Sequence, residues 1–222
     1  KIITEVLKGK TNGISEYKEL KNLYTILDVI IKKKKNKDVI IIDLHNTSSP
    51  NGLFSIINNL NDYKIASSIK IPVITKLFNK VKGAMAEYYN SKNISSIVFE
   101  GGSIGDPASI YNHEFGIYKI LEYCKLIKST EIPKHVIENV KKLKSYTKEE
   151  SKKYKVKYIH QITENDNFIM KPNIINFQKV QKGDLIGFDK TGDVLCPFNG
   201  EILMPLYQEK GKEGFYIIQN EK

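Results

Sequence analysis

The chain has 222 residues, of which 41% are hydrophobic and 27% charged, and its formal net charge is +10. This length can bury a full core and predicts one α/β domain with a smaller accompanying part. All 35 basic residues are Lys, and the absence of Arg argues against nucleic acid as a partner, because Arg supplies the bidentate phosphate and guanine contacts. The sequence has no membrane-length apolar run, no signal-peptide pattern and no metal or disulfide spacing at Cys124 and Cys196. We therefore expect a cytoplasmic protein with no membrane partner.

The first half of the chain alternates predicted helices and strands. Apolar residues at helical spacing predict a helix in "SEYKELKNLYTILDVIIKKKK", with Ser15 as its N-cap. The β-branched run at 39–42 has no polar alternation and predicts a strand that is buried on both faces and ends at His45. Asn51-Gly52 then predicts a turn, residues 70–75 a strand and residues 76–90 a helix.

A second buried strand is predicted at 94–99, with Glu100 at its end and Gly101-Gly102 turning the chain. A helix over 110–127 would close the first domain, which we place at residues 1–127. Residues 128–153 are charged and predict a linker. Residues 154–222 contain short strands punctuated by glycines, which predict a small all-β barrel or sandwich. The expected fold class is thus α/β, with a mixed and mostly parallel sheet flanked by helices, followed by a β-rich C-terminal module.

The polar residues at the two strand ends suggest a chemistry. Asp43 and His45 are two residues apart, so in a strand they share a face, and Glu100 leaves the other strand at the same edge of a parallel sheet. Imidazole is a preferred Zn²⁺ ligand, and a carboxylate beside a metal-activated water can shuttle its proton. The pattern therefore suggests a hydrolytic zinc site with His45 as a ligand and Glu100 as the carboxylate.

Three stretches carry a resemblance to a known family. "DLHNTSSPNG" resembles a segment of the succinylglutamate desuccinylase/aspartoacylase family, and "VFEGGSIGDP" falls where that family places its catalytic glutamate. The tail "FQKVQKGDLIGFDKTGDVLCPFNGEILMPLYQEKGKEGFYII" is similar to the family's β-rich C-terminal module.

The resemblance implies a carboxypeptidase-like fold and a Zn²⁺-dependent hydrolase that removes an acetyl or succinyl type of acyl group from the nitrogen of a small N-acyl amino acid. His45 would be the third zinc ligand and Glu100 the general acid and base. Asp43 would orient His45. Asn46 and Thr47 would shape the cleft.

The chain departs from the family pattern in two ways. The family's first two zinc ligands come from an early His-x-x-Glu element, and no His precedes His45 here. The family also grips substrate carboxylates with Arg, which this chain lacks. Both departures are explained if the chain begins after the segment that supplies them. The expectation is then a zinc-dependent amidohydrolase that lacks two metal ligands in this chain and is active only when that segment is supplied. The other histidines are expected to be surface or packing residues; these are His113, His135 and His160.

Two alternatives stay open at this point. A family member that has lost catalysis could act as a binding protein. The tail also resembles lipoyl and biotinyl carrier modules, but its turns offer only Lys190 as an attachment residue and lack the flanking methionines, which argues against a carrier. The sequence makes no prediction of the oligomeric state.

Overall fold

The computed structural model describes residues 2–9, 14–34, 38–77, 84–143, 152–208 and 211–221. The α-helices in these ranges are α1 Ile2–Leu7, α2 Ser15–Lys33, α3 Tyr63–Ser67, α4 Met85–Asn90, α5 Ala108–Tyr123 and α6 Lys134–Leu143. The strands are β1 Ile40–Thr47, β2 Leu53–Ile57, β3 Val73–Thr75, β4 Ser95–Ser103, β5 Lys153–Gln161, β6 Ile169–Met170, β7 Lys179–Val180, β8 Leu185–Asp189, β9 Gly192–Leu195, β10 Gly200–Leu203 and β11 Glu213–Asn220. None of the described helices is long and apolar enough to cross a bilayer.

Eight strands form one mixed sheet in the order β1-β4-β2-β3-β5-β11-β10-β7. The pairs β1/β4, β2/β3 and β3/β5 are parallel, and the remaining four are antiparallel. The mixed sheet flanked by helices agrees with the prediction, and two of the three pairings among β1, β4, β2 and β3 are parallel. Parallel pairing dominates only in this first part, because the C-terminal strands join by antiparallel pairing.

The predicted separate β-module is not confirmed. Strands β5, β11, β10 and β7 continue the large sheet, and β5 pairs directly with β3. Only β6, β8 and β9 form a second, three-stranded sheet in the described part of the chain. The boundaries at 127 and 153 remain a prediction; the segment between them contains α6.

Successive side chains of β4 point to opposite faces of the sheet and pack into two different core clusters. Val98 packs into a cluster with Phe54 and with residues of the C-terminal strands, including Tyr216. Ile97 and Phe99 point to the opposite face and pack with residues of α3 and α5. Because β4 has a strand on each side, most of it is buried.

Several predicted bounds are wrong. Ser15 is the first residue of α2, Ile14 is the N-cap, and the Ser15 hydroxyl contacts Glu16 instead of capping the helix. The predicted strand at 70–75 is confined to β3. Of the predicted helix at 76–90, α4 forms the last part, and residues 78–83 lie outside the described ranges.

The two site strands also extend further than predicted. Strand β1 continues to Thr47 and β4 to Ser103, so His45 and Glu100 lie within strands and not at their exits. The chain does not turn at Gly101-Gly102 as expected. Both glycines lie within β4, where Gly102 has a positive φ of +135°.

Candidate functional site

Strands β1 and β4 bring three predicted site residues to one face of the sheet. His45 and Glu100 are direct cross-strand partners in the parallel pair. Asp43 lies two residues before His45 and therefore points the same way. Adjacent strands are about 4.8 Å apart, so His45 and Glu100 lie side by side, and Asp43 lies on the same face at the level of Val98.

Asp43 and His45 are hydrogen-bonded, and they form an ion pair when His45 is protonated. The His45 Nε2 and Asp43 Oδ1 atoms are 2.9 Å apart, with the His45 side chain 53% exposed and that of Asp43 17%. The hydrogen bond to Asp43 raises the pKa of the His45 imidazole, while partial burial opposes this and the charge of Glu100 adds to it. When Nε2 donates its proton to Asp43, Nδ1 is the ring nitrogen whose lone pair is available to a ligand or a proton.

Glu100 is a buried carboxyl, only 4% exposed. Burial raises its pKa to about 7; the charge of His45 acts to lower it and that of Asp43 to raise it. Its Oε2 atom is buried and has no hydrogen-bond partner in the described structure. A carboxyl with this pKa gains and loses a proton near neutral pH, as a group used for both acid and base catalysis must.

The polar atoms of Asn46 and Thr47 make local structural contacts. The Asn46 side-chain amide donates to the carbonyl of Ser103 on the neighbouring strand β4, at 3.1 Å. Thr47 is buried, and its hydroxyl donates to the Ser49 carbonyl at 2.8 Å. These contacts attach the end of β1 to β4 and to the loop that follows.

His113 of α5 supports the site in a way that the sequence analysis missed. Its Nε2 lies 2.9 Å from the main-chain carbonyl oxygen of His45. Its ring packs edge-on against Phe99, and a Cβ at Gly101 would lie 2.2 Å from its Nε2 atom. The His113 ring fits here because Gly101 has no side chain. This glycine is the sequence feature that could have indicated the contact.

The other two histidines lie outside this site. His135 is exposed and pairs with Glu114 at 3.1 Å. His160 stacks on Phe215 with ring centroids 5.0 Å apart. These placements agree with the surface and packing roles expected for them.

The donor set does not by itself fit a catalytic zinc ion. Such sites use three protein ligands, and the described residues contain no group of three His, Cys, Asp or Glu side chains that could hold a metal. His45 supplies one imidazole, and its Nε2 is engaged by Asp43. What the described residues provide is a buried carboxyl with a raised pKa, Glu100, placed cross-strand from an imidazole, His45, that is hydrogen-bonded to Asp43.

Helices on both faces of a mixed sheet define an α/β fold, and comparisons with known proteins show where this fold occurs. No protein-family model matches the chain, and no curated protein matches it.

Solved structures do match. A succinylglutamate desuccinylase/aspartoacylase from Rhodobacter sphaeroides is 12% identical, with a TM-score of 0.60 over 82% of this chain and 59% of the other. A succinylglutamate desuccinylase from Vibrio parahaemolyticus is 12% identical, with a TM-score of 0.57 over 91% of this chain and 61% of the other. A succinylglutamate desuccinylase/aspartoacylase family protein from Shewanella amazonensis is 15% identical, with a TM-score of 0.57 over 99% of this chain and 64% of the other.

These likenesses establish the fold that the chain shares with these proteins. In each case this chain spans roughly three fifths of the other protein's length.

Proposed function

We propose that the chain carries the proton-transfer part of an amidohydrolase site that acts on small N-acyl amino acids. The observation that carries this proposal is the buried Glu100 carboxyl, whose pKa is raised to about 7, one strand away from the His45–Asp43 pair. Glu100 is the proposed acid and base, and Asp43 is the proposed orienting partner of His45.

The chemistry of amide hydrolysis suits such a carboxyl. Water must lose a proton as it attacks the acyl carbon, and the amine must gain one as the C–N bond breaks. Glu100 in its ionised form accepts the first proton, and in its neutral form it supplies the second. The products are a free carboxylic acid and a free amino acid, and Glu100 returns to its starting state.

The substrate class comes from the likeness to solved desuccinylases and aspartoacylases, which suggests an acetyl or succinyl type of acyl group. Such substrates carry carboxylates. In a chain without Arg, Lys is the cation available to bind them, as a point charge and without the planar fork.

Zinc dependence is part of the proposal. His45 would be one ligand, and two more ligands would have to come from outside the described residues, because those residues contain no group of three. When bound, zinc would acidify the attacking water and polarise the acyl carbonyl. The cytoplasmic location expected from the sequence stays a prediction.

A second candidate is a member of the same fold that has lost catalysis and acts as a binding protein. The contact at 2.9 Å between His45 and Asp43 favours it, since this pair is satisfied without a metal. In that case Glu100 would contribute to ligand binding and not to turnover.

Two measurements separate these candidates. Zinc content is measured by elemental analysis on the printed chain and on the chain with any residues that its gene encodes upstream of Lys1. Release of free amine from N-acetyl and N-succinyl amino acids is measured on the same samples. His45→Ala and Glu100→Gln are the test variants, and His135→Ala, which removes an exposed ion-paired histidine, is the matched control.

The hydrolase proposal expects about one zinc per active chain, lost in His45→Ala and kept in His135→Ala. It also expects Glu100→Gln to retain zinc and to lower kcat at least about 100-fold. If no form binds zinc or releases amine, the binding role takes its place.

A further inference from the structure

Asn176 is a buried side chain, 1% exposed, that links the C-terminal part of the chain to the loop after His45. Its side-chain oxygen accepts from the Met204 amide at 2.7 Å. Its side-chain nitrogen lies 2.9 Å from the Pro50 carbonyl, 3.3 Å from the Ser49 carbonyl and 3.4 Å from the Thr47 hydroxyl. Its backbone amide also donates to Pro50, at 3.2 Å. One side chain therefore bonds to the residue that follows β10, Met204, and to three residues of the segment 47–50.

The loop that Asn176 holds begins two residues beyond His45. After the pair His45↔Glu100 the register of β1 against β4 shifts, and the next pair is Thr47↔Ser103. Over this stretch β4 contains one residue more than β1, and an irregularity of this kind redirects nearby side chains. His45 therefore lies directly before an irregular stretch of the ladder, whose other end on β1 is Thr47.

The anchor is tightly packed. A Cβ at Gly52 would lie 2.5 Å from the Thr47 hydroxyl oxygen and 3.1 Å from the Gly102 carbonyl oxygen. Thr47 also bonds within its loop, donating to the Ser49 carbonyl at 2.8 Å and accepting from the Ser49 amide at 3.3 Å. The loop is thus packed closely against the end of β1 and hydrogen-bonded to it.

We infer that Asn176 is a positioning residue that sets His45 against Glu100 through the loop 47–50. The inference rests on the proposed function of that site and makes the C-terminal part of the chain a requirement for its geometry. An amide suits this position because it donates and accepts at once, whereas a carboxylate could not donate to the loop oxygens. Buried polar groups of this kind fix one arrangement when every atom is bonded.

The test compares Asn176→Ala with Gln178→Ala by NMR on protein labelled with ¹³C-histidine and ¹⁵N. Gln178 is the matched control, because its side chain bonds to the Ile175 amide at 3.2 Å, within its own segment. The chain has four histidines, so the His45 ring signal can be assigned by mutation, and His135 and His160 serve as internal references.

Asn176→Ala is expected to shift the His45 ring signal and to speed hydrogen exchange at the Ser49 amide about tenfold, with the reference signals unchanged. Gln178→Ala is expected to leave His45 and Ser49 as in the parent chain. An unshifted His45 signal in folded Asn176→Ala would overturn the inference, as would an equal shift in Gln178→Ala.

A second variant covers the case in which Asn176→Ala does not fold. Thr47→Val keeps the side-chain volume but removes the hydroxyl that accepts from Asn176. The same His45 shift is expected, and its absence would contradict the inference.

These readouts need no turnover, so they are independent of the proposed function. If no form hydrolyses N-acyl amino acids, the proposed function fails while the His45 signal still decides the role of Asn176. If hydrolysis is found, Asn176→Ala should lower kcat about tenfold or more with KM changed about twofold or less, since misplaced catalytic groups slow the chemical step.

Discussion

Glu100 has a raised pKa because of where β4 lies in the sheet. Its cross-strand neighbours are His45 on β1 and Phe54 on β2, so the carboxyl has a strand on each side. Burial therefore disfavours the charged form of Glu100, and the charge of His45 offsets this effect only in part. This one residue couples protonation to folding and, in the proposed reaction, to catalysis.

The pH dependence of stability follows from this coupling. The pKa of Glu100 is about 7 in the folded chain against an ordinary 4.5, so the folded state holds the proton more tightly than the unfolded state. Stability should therefore fall as pH rises from about 4.5 to 7, by about 3 kcal/mol, and the raised pKa of His45 acts in the same direction at somewhat higher pH. Urea unfolding at pH 5 and pH 8 measures the difference.

Glu100→Gln is the control for this prediction, because glutamine has a similar shape and does not titrate. Its stability should change much less between pH 5 and pH 8, and at pH 8 it should exceed that of the parent chain. His160, whose pKa is lowered by burial, acts in the opposite direction, so the contribution of Glu100 is the difference between the parent chain and Glu100→Gln. An equal pH dependence in both would show that Glu100 is not held in its neutral form.

At the scale of elements, α5 and β4 are joined at the site by Gly101 and His113. A methyl group at Gly101 would overlap the His113 ring and force it away from the His45 carbonyl. Gly101→Ala should therefore destabilise the fold by about 1–3 kcal/mol, as overpacking does. Urea unfolding gives the free energy of the change.

A double-mutant cycle identifies the cause. In a His113→Ala background the ring is absent, so Gly101→Ala should cost much less than in the parent chain. Equal costs in the two backgrounds would mean that the glycine is required for another reason.

The sequence predicted the site strands but not their ends. The apolar runs before Asp43 and Glu100 predicted strands buried on both faces. This prediction holds for the central strand β4 but is wrong for β1, which lies at the edge of the sheet and has mostly half-buried or exposed residues. The polar continuations of both runs look like loops, yet they stay in the ladder because each has a partner strand at Thr47 and Ser103. Partner strands far away in sequence are not visible in a local pattern.

The same limit applies to the candidate site. The spacing of Asp43 and His45 predicted a shared face, and the structure shows the contact between them. The contacts of His113 and Asn176 were not predicted, because they join residues 68 and up to 129 positions apart. Their neighbours in the sequence carry no periodicity that distinguishes them from other polar residues of a helix and a loop.

At the scale of the whole molecule, both parts of the chain share one core. Phe54 and Val98 of the first part pack in the same cluster as Leu203, Tyr216 and Ile218 of the C-terminal part. The sheet is continuous between them through β3 and β5. The C-terminal strands therefore stabilise the strands that carry the site.

Leu203→Ala tests this shared core. The side chain is fully buried, and removing it should cost about 2–5 kcal/mol. NMR signals of Val98 and Ile218 should disappear at the same urea concentration in the parent chain and at the same, lower concentration in the variant. If Ile218 alone is lost earlier in Leu203→Ala, the C-terminal part is a separate folding unit.

The pKa of Glu100 is the quantity on which the proposed function depends most directly. It can be measured by following the side-chain carboxyl signals of ¹³C-glutamate-labelled protein from pH 4 to pH 9, with Glu100→Gln identifying the signal. The structure predicts a midpoint near pH 7, set by burial. A midpoint near 4.5 would mean that the carboxyl is ionised throughout the neutral range, and it would contradict the role of Glu100 as both acid and base.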